Sequence, residues 1–256
     1  MKIEHNNTEL YYEVSGKGTP WVFLHGFLES STMWKEIVPE FLETHTVILI
    51  DLPGHGQSGI ISDVHSMELL AAAVRSVLQH LNIPKATFIG HSMGGYVALA
   101  YADLYPEEVT SLVLINSTPA EDSIDRKQNR QRALNVVEQD PTTFIKLVIT
   151  SLFSEASKEK YALEIEQLQE EALKFPLEGI TASIKGMKDR KDRSSLLKNF
   201  DKKKYMICGK EDPILPVAES EIWAKFCKIE PKIVSGGHMS HIENKLEIVK
   251  MLHFIE

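Results

Sequence analysis

Residues 86–95 read Ala86-Thr-Phe-Ile-Gly90-His-Ser92-Met-Gly94-Gly95, an apolar run that ends at a glycine and passes at once into Gly-x-Ser-x-Gly. Tyr96, Ala100 and Asp103 then follow at helical spacing until the Tyr105-Pro106 step, where a proline disfavours helix at the residue before it. A strand that turns directly into a helix forces the residue at the turn into strained backbone angles, and neighbours without Cβ let the two elements approach. Such a turn lifts the Ser92 Oγ clear of the sheet. It also leaves the Met93 N–H at a helix N-terminus, where main-chain donors face developing negative charge. The stretch therefore predicts Ser92 as a nucleophile and Met93 as an oxyanion donor.

On both sides of this turn, short apolar runs alternate with longer segments of helical period. That is the pattern of an α/β fold, a mostly parallel sheet flanked by helices. Strands are expected at residues 10–14, 21–24, 46–50, 86–89, 109–115, 204–208 and 232–234. Between the third and fourth, Leu70, Ala73, Val74, Val77, Leu78 and Leu81 form one apolar stripe, with Ser66 suited to the N-cap and Glu68 to the helix dipole. From residue 118 to 199 no strand pattern occurs, only charged amphipathic segments such as Tyr161, Ile165, Leu168, Ala172 and Phe175. This block reads as a helical cap inserted into a core of residues 1–117 and 200–256. Its basic cluster, Lys185, Lys188, Arg190, Lys191 and Arg193, is interleaved with Asp189 and Asp192 and reads as a solvated helix face.

Composition narrows the classes of function. The chain has 256 residues, 43% hydrophobic and 25% charged, enough to bury a large core without a disulfide or metal staple. Its 28 basic and 36 acidic residues give a net charge of -8, so no positive field recruits nucleic acid or an anionic membrane. The opening segment MKIEHNNTEL carries no apolar signal core, and no run approaches the roughly 20 apolar residues of a membrane span, so a cytoplasmic location is expected. Cys208 and Cys227 are too few for a disulfide framework or a complete zinc site and read as buried hydrophobes.

A serine hydroxyl alone is a poor nucleophile at neutral pH and needs a base oriented by a third group. Asp212 follows the strand expected at 204–208, on a loop tightened by Gly209 and Pro213, with Glu211 as an adjacent competitor. His238 follows the last strand on the flexible Gly236-Gly237 loop, and His241 lies three residues on. Four blocks then occur in order: His25-Gly26-Phe27 with Trp34; Asp51-Leu-Pro-Gly54-His55-Gly56-Gln-Ser58; Gly90-His-Ser92-Met-Gly94-Gly95; and the late pair Gly209-Lys-Glu-Asp212-Pro with Gly237-His238. On these blocks the chain resembles the α/β-hydrolase superfamily, in its capped esterase-like branch, over nearly its whole length. The resemblance implies the chain order Ser92, Asp212, His238 for nucleophile, acid and base. It also implies the Phe27 N–H as second oxyanion donor and structural roles for His25 and His55. Where the family often continues Glu, one residue and Pro, this chain has Glu243-Asn244-Lys245, a departure at the start of the last helix.

No cofactor is expected. There is no His-Glu-x-x-His segment or paired cysteine ligand set for a metal, and Gly-His-Ser-Met-Gly-Gly is not a dinucleotide fingerprint. A serine at position 92 separates the chain from dehalogenase and epoxide-hydrolase relatives, which carry aspartate there. The expected activity is a serine hydrolase cleaving small to medium carboxylic esters through an acyl-serine, with a small-molecule ester as its partner. The same triad also serves a menaquinone-pathway synthase-like lyase, a C–C bond hydrolase or an enol-lactone hydrolase, although that synthase places an arginine where Tyr96 stands. A ligand-binding receptor on the same scaffold is a further class. Phe27, Leu28 and Met93 are expected to form an apolar pocket beside Ser92, closed by Phe144, Leu147, Leu152 and Phe153 unless these pack the cap on itself. Such a pocket favours uncharged acyl groups. Arg126, Arg130 and Arg132 lie in the cap without an assigned role, and the oligomeric state is not encoded in any motif found.

Overall fold

The run Ala86–His91 is buried at every position, which only a strand covered on both faces can satisfy. In the computed structural model, which describes residues 1–255, it is the fifth of eight strands: β1 (Lys2–His5), β2 (Thr8–Gly16), β3 (Thr19–Leu24), β4 (His45–Ile50), β5 (Ala86–His91), β6 (Val109–Ile115), β7 (Lys203–Gly209) and β8 (Lys232–Val234). They form one sheet in the order β1-β2-β4-β3-β5-β6-β7-β8, with β2 antiparallel to both β1 and β4 and the other pairs parallel. The seven expected strands are all present, each matched or extended by one or two residues at an end. The addition is β1, whose four residues bury only Ile3, opposite Leu10, too little apolar pattern to be read from sequence.

Helices cover the two faces. The stripe beginning at Leu70 lies on α1 (Met67–His80), where Ser66 Oγ accepts the Leu69 N–H at 3.1 Å and Glu68 stands in the first turn. With α2 (Met93–Leu104) it packs one core, in which Leu70, Val74, Phe88 and Val97 are fully buried. Trp34, Phe41 and residues of a late helix seal the other face against Phe23 and Ile115. Burying each such side chain is worth roughly 1.5–3 kcal/mol relative to exposure.

Between β6 and β7 the chain forms α3 (Ile124–Gln139), α4 (Pro141–Leu152), α5 (Ala162–Ala172), α6 (Leu177–Lys188) and α7 (Ser194–Asn199). After β7 come α8 (Val217–Phe226), α9 (Ser240–Glu243) and α10 (Lys245–His253). Helices α3 to α6 build a cluster of their own around Leu134, Ile149, Ile165 and Ile180, which takes in Leu28 and Met239 from the sheet side. No helix among the described residues is long and apolar enough to cross a membrane.

The two arginines of the basic cluster are not on the solvated face its spacing suggests, whereas Lys191 is exposed and Lys185 and Lys188 are half-buried. Arg190 and Arg193 are each only 4% exposed. Arg190 Nη1 lies 2.7 Å from Asp122, and Arg193 Nη2 lies 2.6 Å from Glu68. These acids stand far away in the chain, so the local interleaving with Asp189 and Asp192 hides the real partners. Cys208 and Cys227 are buried free thiols, as expected, and burial pushes them up to about 12 and about 11.

Several buried histidines serve the loops under the sheet's C-terminal edge. His25 Nε2 accepts the Leu52 N–H at 2.8 Å, so its proton is on Nδ1, which donates to Gly26 O. Burial lowers the pKa of His25, lowers His55 well below its usual value, and brings His65 to about 4 and His241 to about 3. Each of these rings is neutral in the fold and takes up a proton on unfolding once the pH is below about 6.5, so each drives unfolding as the pH falls. The urea midpoint should therefore drop between pH 7 and pH 5, with each ring contributing up to about 1.4 kcal/mol per pH unit. In a His65→Gln protein the drop should be shallower; an equally steep acid limb would contradict the assignment.

Candidate active site

Ser92 sits between β5 and α2 with φ +48° and ψ -114°, outside the regions open to L-residues. The turn holds because the elements on either side touch. A Cβ on Gly90 would lie 2.5 Å from the Gly94 backbone, and one on Gly94 would lie 2.3 Å from Leu24 O. Hydrogen bonds from the end of β6 and the turn after it fix the strained residue: Ser92 N–H donates to Ile115 O at 3.0 Å, and Ser117 Oγ donates to Ser92 O at 2.8 Å.

His238 arrives on the loop after β8, with Gly236 in the left-handed region at φ +102°. Its Nδ1 is 2.8 Å from Asp212 Oδ2 and its Nε2 is 2.8 Å from Ser92 Oγ. Asp212 is buried and accepts from four donors: His238, Asn116 Nδ2 at 2.9 Å, and the Ile214 and Leu215 N–H groups at 2.8 Å each. Burial alone would raise its carboxyl, but His238 and the other donors outweigh that and hold it below the ordinary carboxylate value. An ionised Asp212 fixes the His238 proton on Nδ1 and turns the Nε2 lone pair toward the Ser92 hydroxyl. Glu211 is exposed and takes no part. His241 is buried 3.8 Å from Glu29 and does not reach Ser92 or Asp212.

One pair of residues at this site is not legible in the sequence. Glu29 Oε2 accepts the Gly26 N–H at 2.6 Å and the His91 Nδ1–H at 2.8 Å, and His91 Nε2 lies 2.9 Å from His238 O. Both ring nitrogens of His91 thus face acceptors. Burial disfavours its charge, but Glu29 outweighs that and raises the His91 pKa, while His91 lowers Glu29 to about 2 against the effect of burial. The buried ion pair ties the loop before Phe27 to the backbone of His238. Glu29, His91 and His241 offer ligand atoms within 4.8 Å of one another, but a cation there would displace the proton shared by Glu29 and His91. Each residue stands beside a recognised block, at Gly-His-Ser and two past Phe27; their pairing across 62 positions is what sequence conceals.

A cavity of about 490 Å³ contains Ser92 and His238. Phe27, Phe144 and Leu152 line it as expected. Leu147 does not: it is 64% exposed. On α4 the wall-forming residues are Phe144, Val148, Ser151 and Leu152, one helical face, and Leu147 lies off it. Leu28 and Phe153 are also absent from the wall, each buried at 1% in the cluster of α3 to α6. Met93 is fully buried and its side chain does not line the cavity, while its N–H is the first of α2. The wall further includes Tyr96, Met187 and Ile214, and from α3 Arg126, Asn129 and Arg130.

A family model described as alpha/beta hydrolase fold matches residues 19–245. A Pseudomonas putida protein named dihydrolipoyllysine-residue acetyltransferase component of acetoin cleaving system is 31% identical over 96% of this chain, which spans 66% of that protein's length. The 3-oxoadipate enol-lactonase 2 of Acinetobacter baylyi is 25% identical, over 87% of this chain and 82% of its own. Among solved structures, a thermophilic esterase from Thermogutta terrifontis, described as malate bound, is 31% identical with a TM-score of 0.90, covering 96% of this chain and 92% of that one.

The Glu29–His91 pair gives a direct expectation. In an NMR titration the His91 ring should stay protonated above pH 6.5, and in a Glu29→Gln protein its pKa should fall, because the carboxylate that offsets the effect of burial is gone. Leaving one partner of a buried pair unmatched should also cost about 3–5 kcal/mol in denaturant unfolding. A His91 pKa unmoved by the substitution would contradict the pairing.

Proposed function

The chain belongs to the α/β-hydrolase family, and on that footing we propose that it hydrolyses small to medium carboxylic esters through an acyl-serine intermediate. The observation that carries this reading is the position of His238, 2.8 Å from Ser92 Oγ on one side and 2.8 Å from Asp212 on the other, inside a cavity large enough for a small ester. Ser92 Oγ attacks the ester carbonyl carbon while its proton passes to His238 Nε2. The Phe27 and Met93 N–H groups take the charge that develops on the carbonyl oxygen. His238 returns the proton to the departing alkoxide, and the alcohol leaves. Water then attacks the acyl carbonyl, giving its proton to the same nitrogen, and collapse releases the acid with the proton back on Ser92 Oγ. Asp212 holds the ring and stabilises its charged form without taking the proton.

The helices of residues 118–199 act in this reading as a cap. The Leu152 carbonyl accepts the His238 N–H at 3.1 Å, so the insertion supports the base loop as well as roofing the cavity. The esterase and enol-lactonase names among the relatives support ester-bond chemistry, since a lactone is an ester whose alcohol stays attached.

The test is hydrolysis of p-nitrophenyl esters of increasing acyl length by the wild-type, Ser92→Ala and Asp212→Asn proteins. Turnover should fall at least about 10⁴-fold in Ser92→Ala with the circular dichroism spectrum unchanged, and by a comparable factor in Asp212→Asn. Wild-type turnover by a folded Ser92→Ala protein would overturn the proposal.

A further inference from the structure

We propose that the α3 side of the cavity is a carboxylate-binding subsite, so that the preferred substrate is an ester or lactone bearing a second, ionised carboxylate. This rests on the ester-hydrolase reading and departs from the uncharged acyl group that the apolar residues suggest. Arg126, Asn129, Arg130 and Ala133 follow at i, i+3, i+4 and i+7, one face of α3, and all four line the cavity that holds Ser92 and His238. Two guanidinium groups, 28% and 24% exposed, thus stand on the wall of a chamber otherwise dominated by apolar side chains.

The protein matches only part of their charge. Asp122 is fully buried and is shared: Arg130 Nε lies 2.6 Å from one oxygen and Arg190 Nη1 lies 2.7 Å from the other. The nearest carboxylate to Arg126 is Glu219, at 3.5 Å and 42% exposed, and the Arg126 Nη2 donates mainly to Ile214 O at 2.7 Å. Three guanidinium groups therefore face two carboxylates, one of them distant and in solvent. At the catalytic end the charges are matched, with Glu29 against His91 and Asp212 against four donors.

Donors are free as well as charge. A guanidinium carries five N–H groups. Among the described residues, nothing accepts from the two terminal nitrogens of Arg130 or from Nε and Nη1 of Arg126. A ligand carboxylate matches that fork geometry, and the attraction is stronger beside low-dielectric walls than in water. Phe144, Val148, Leu152 and Met187 supply apolar surface in the same cavity for the methylenes joining the two ends of such a substrate.

The test compares monomethyl adipate with methyl hexanoate, six-carbon acyl groups differing in the terminal carboxylate, by methanol release. In wild-type protein kcat/KM should be at least about tenfold higher for monomethyl adipate, the effect of one charge-assisted contact. That ratio should collapse toward one in Arg126→Gln and Arg130→Gln proteins, persist in part in Arg130→Lys, and shrink with added salt. Equal or better use of methyl hexanoate, or a ratio untouched by the substitutions, would overturn the subsite while leaving ester hydrolysis standing. Calorimetric titration of the Ser92→Ala protein with adipate and with hexanoate makes the same comparison without turnover. Tighter, salt-sensitive binding of adipate supports the subsite even if no ester is cleaved, and no preference for adipate refutes it. Inert p-nitrophenyl esters would count against the hydrolase reading alone.

Discussion

The site depends on how closely β5 and α2 approach. Because Gly90 meets the Gly94 backbone and Gly94 meets Leu24 O with no room for a Cβ, the chain turns within one residue, and Ser92 is held at φ +48°. Strain of this kind persists only where surrounding contacts over-determine it. Here Ile115 O at the end of β6 and Ser117 Oγ just beyond it supply them, and Asn116 between the two extends the support to the loops that carry Asp212 and His238. Asn116 donates to Asp212 Oδ2 at 2.9 Å and to Gly237 O at 3.2 Å, and its Oδ1 accepts from Ser240 Oγ. One amide thus joins the loop of Asp212, the loop of Gly237 and His238, and the end of the strand beside Ser92.

A second tie lies on the opposite side of His238. The Glu29–His91 pair is nearly inaccessible, at 1–2% exposure, and an ion pair in such a place is not primarily a source of stability. Its geometric effect is clear: Glu29 fixes the Gly26 N–H, one residue before Phe27, while His91 reaches His238 O. The loop after β3, the end of β5 and the loop after β8 are thereby set relative to one another.

The sheet and the turn at Ser92 are legible because each depends on local pattern, apolar runs and glycines flanking a serine, whereas the pairing of Asp212 with His238, 26 positions apart, is implied by the family resemblance and by no local pattern. What escapes sequence reading depends on contacts between distant residues. The Asn116 amide, the Glu29–His91 pair and the salt bridges of Arg190 and Arg193 each join positions dozens of residues apart. The cavity wall escapes for another reason. Choosing Leu147, Leu28 and Phe153 for their apolar character ignores which helix face or cluster they occupy, whereas the face of α4 that carries Phe144 and the face of α3 that carries Arg126 make the wall. Polar wall residues are invisible to a search for hydrophobic ones.

In the proposed mechanism His238, held by Asp212, makes Ser92 the nucleophile. Intact mass and peptide mapping after treatment with a serine-reactive phosphonate test this without knowledge of the natural substrate. One adduct per chain is expected, on Ser92, formed far more slowly in a folded His238→Gln protein. An adduct on another residue, or labelling of Ser92 at an undiminished rate without His238, would contradict it.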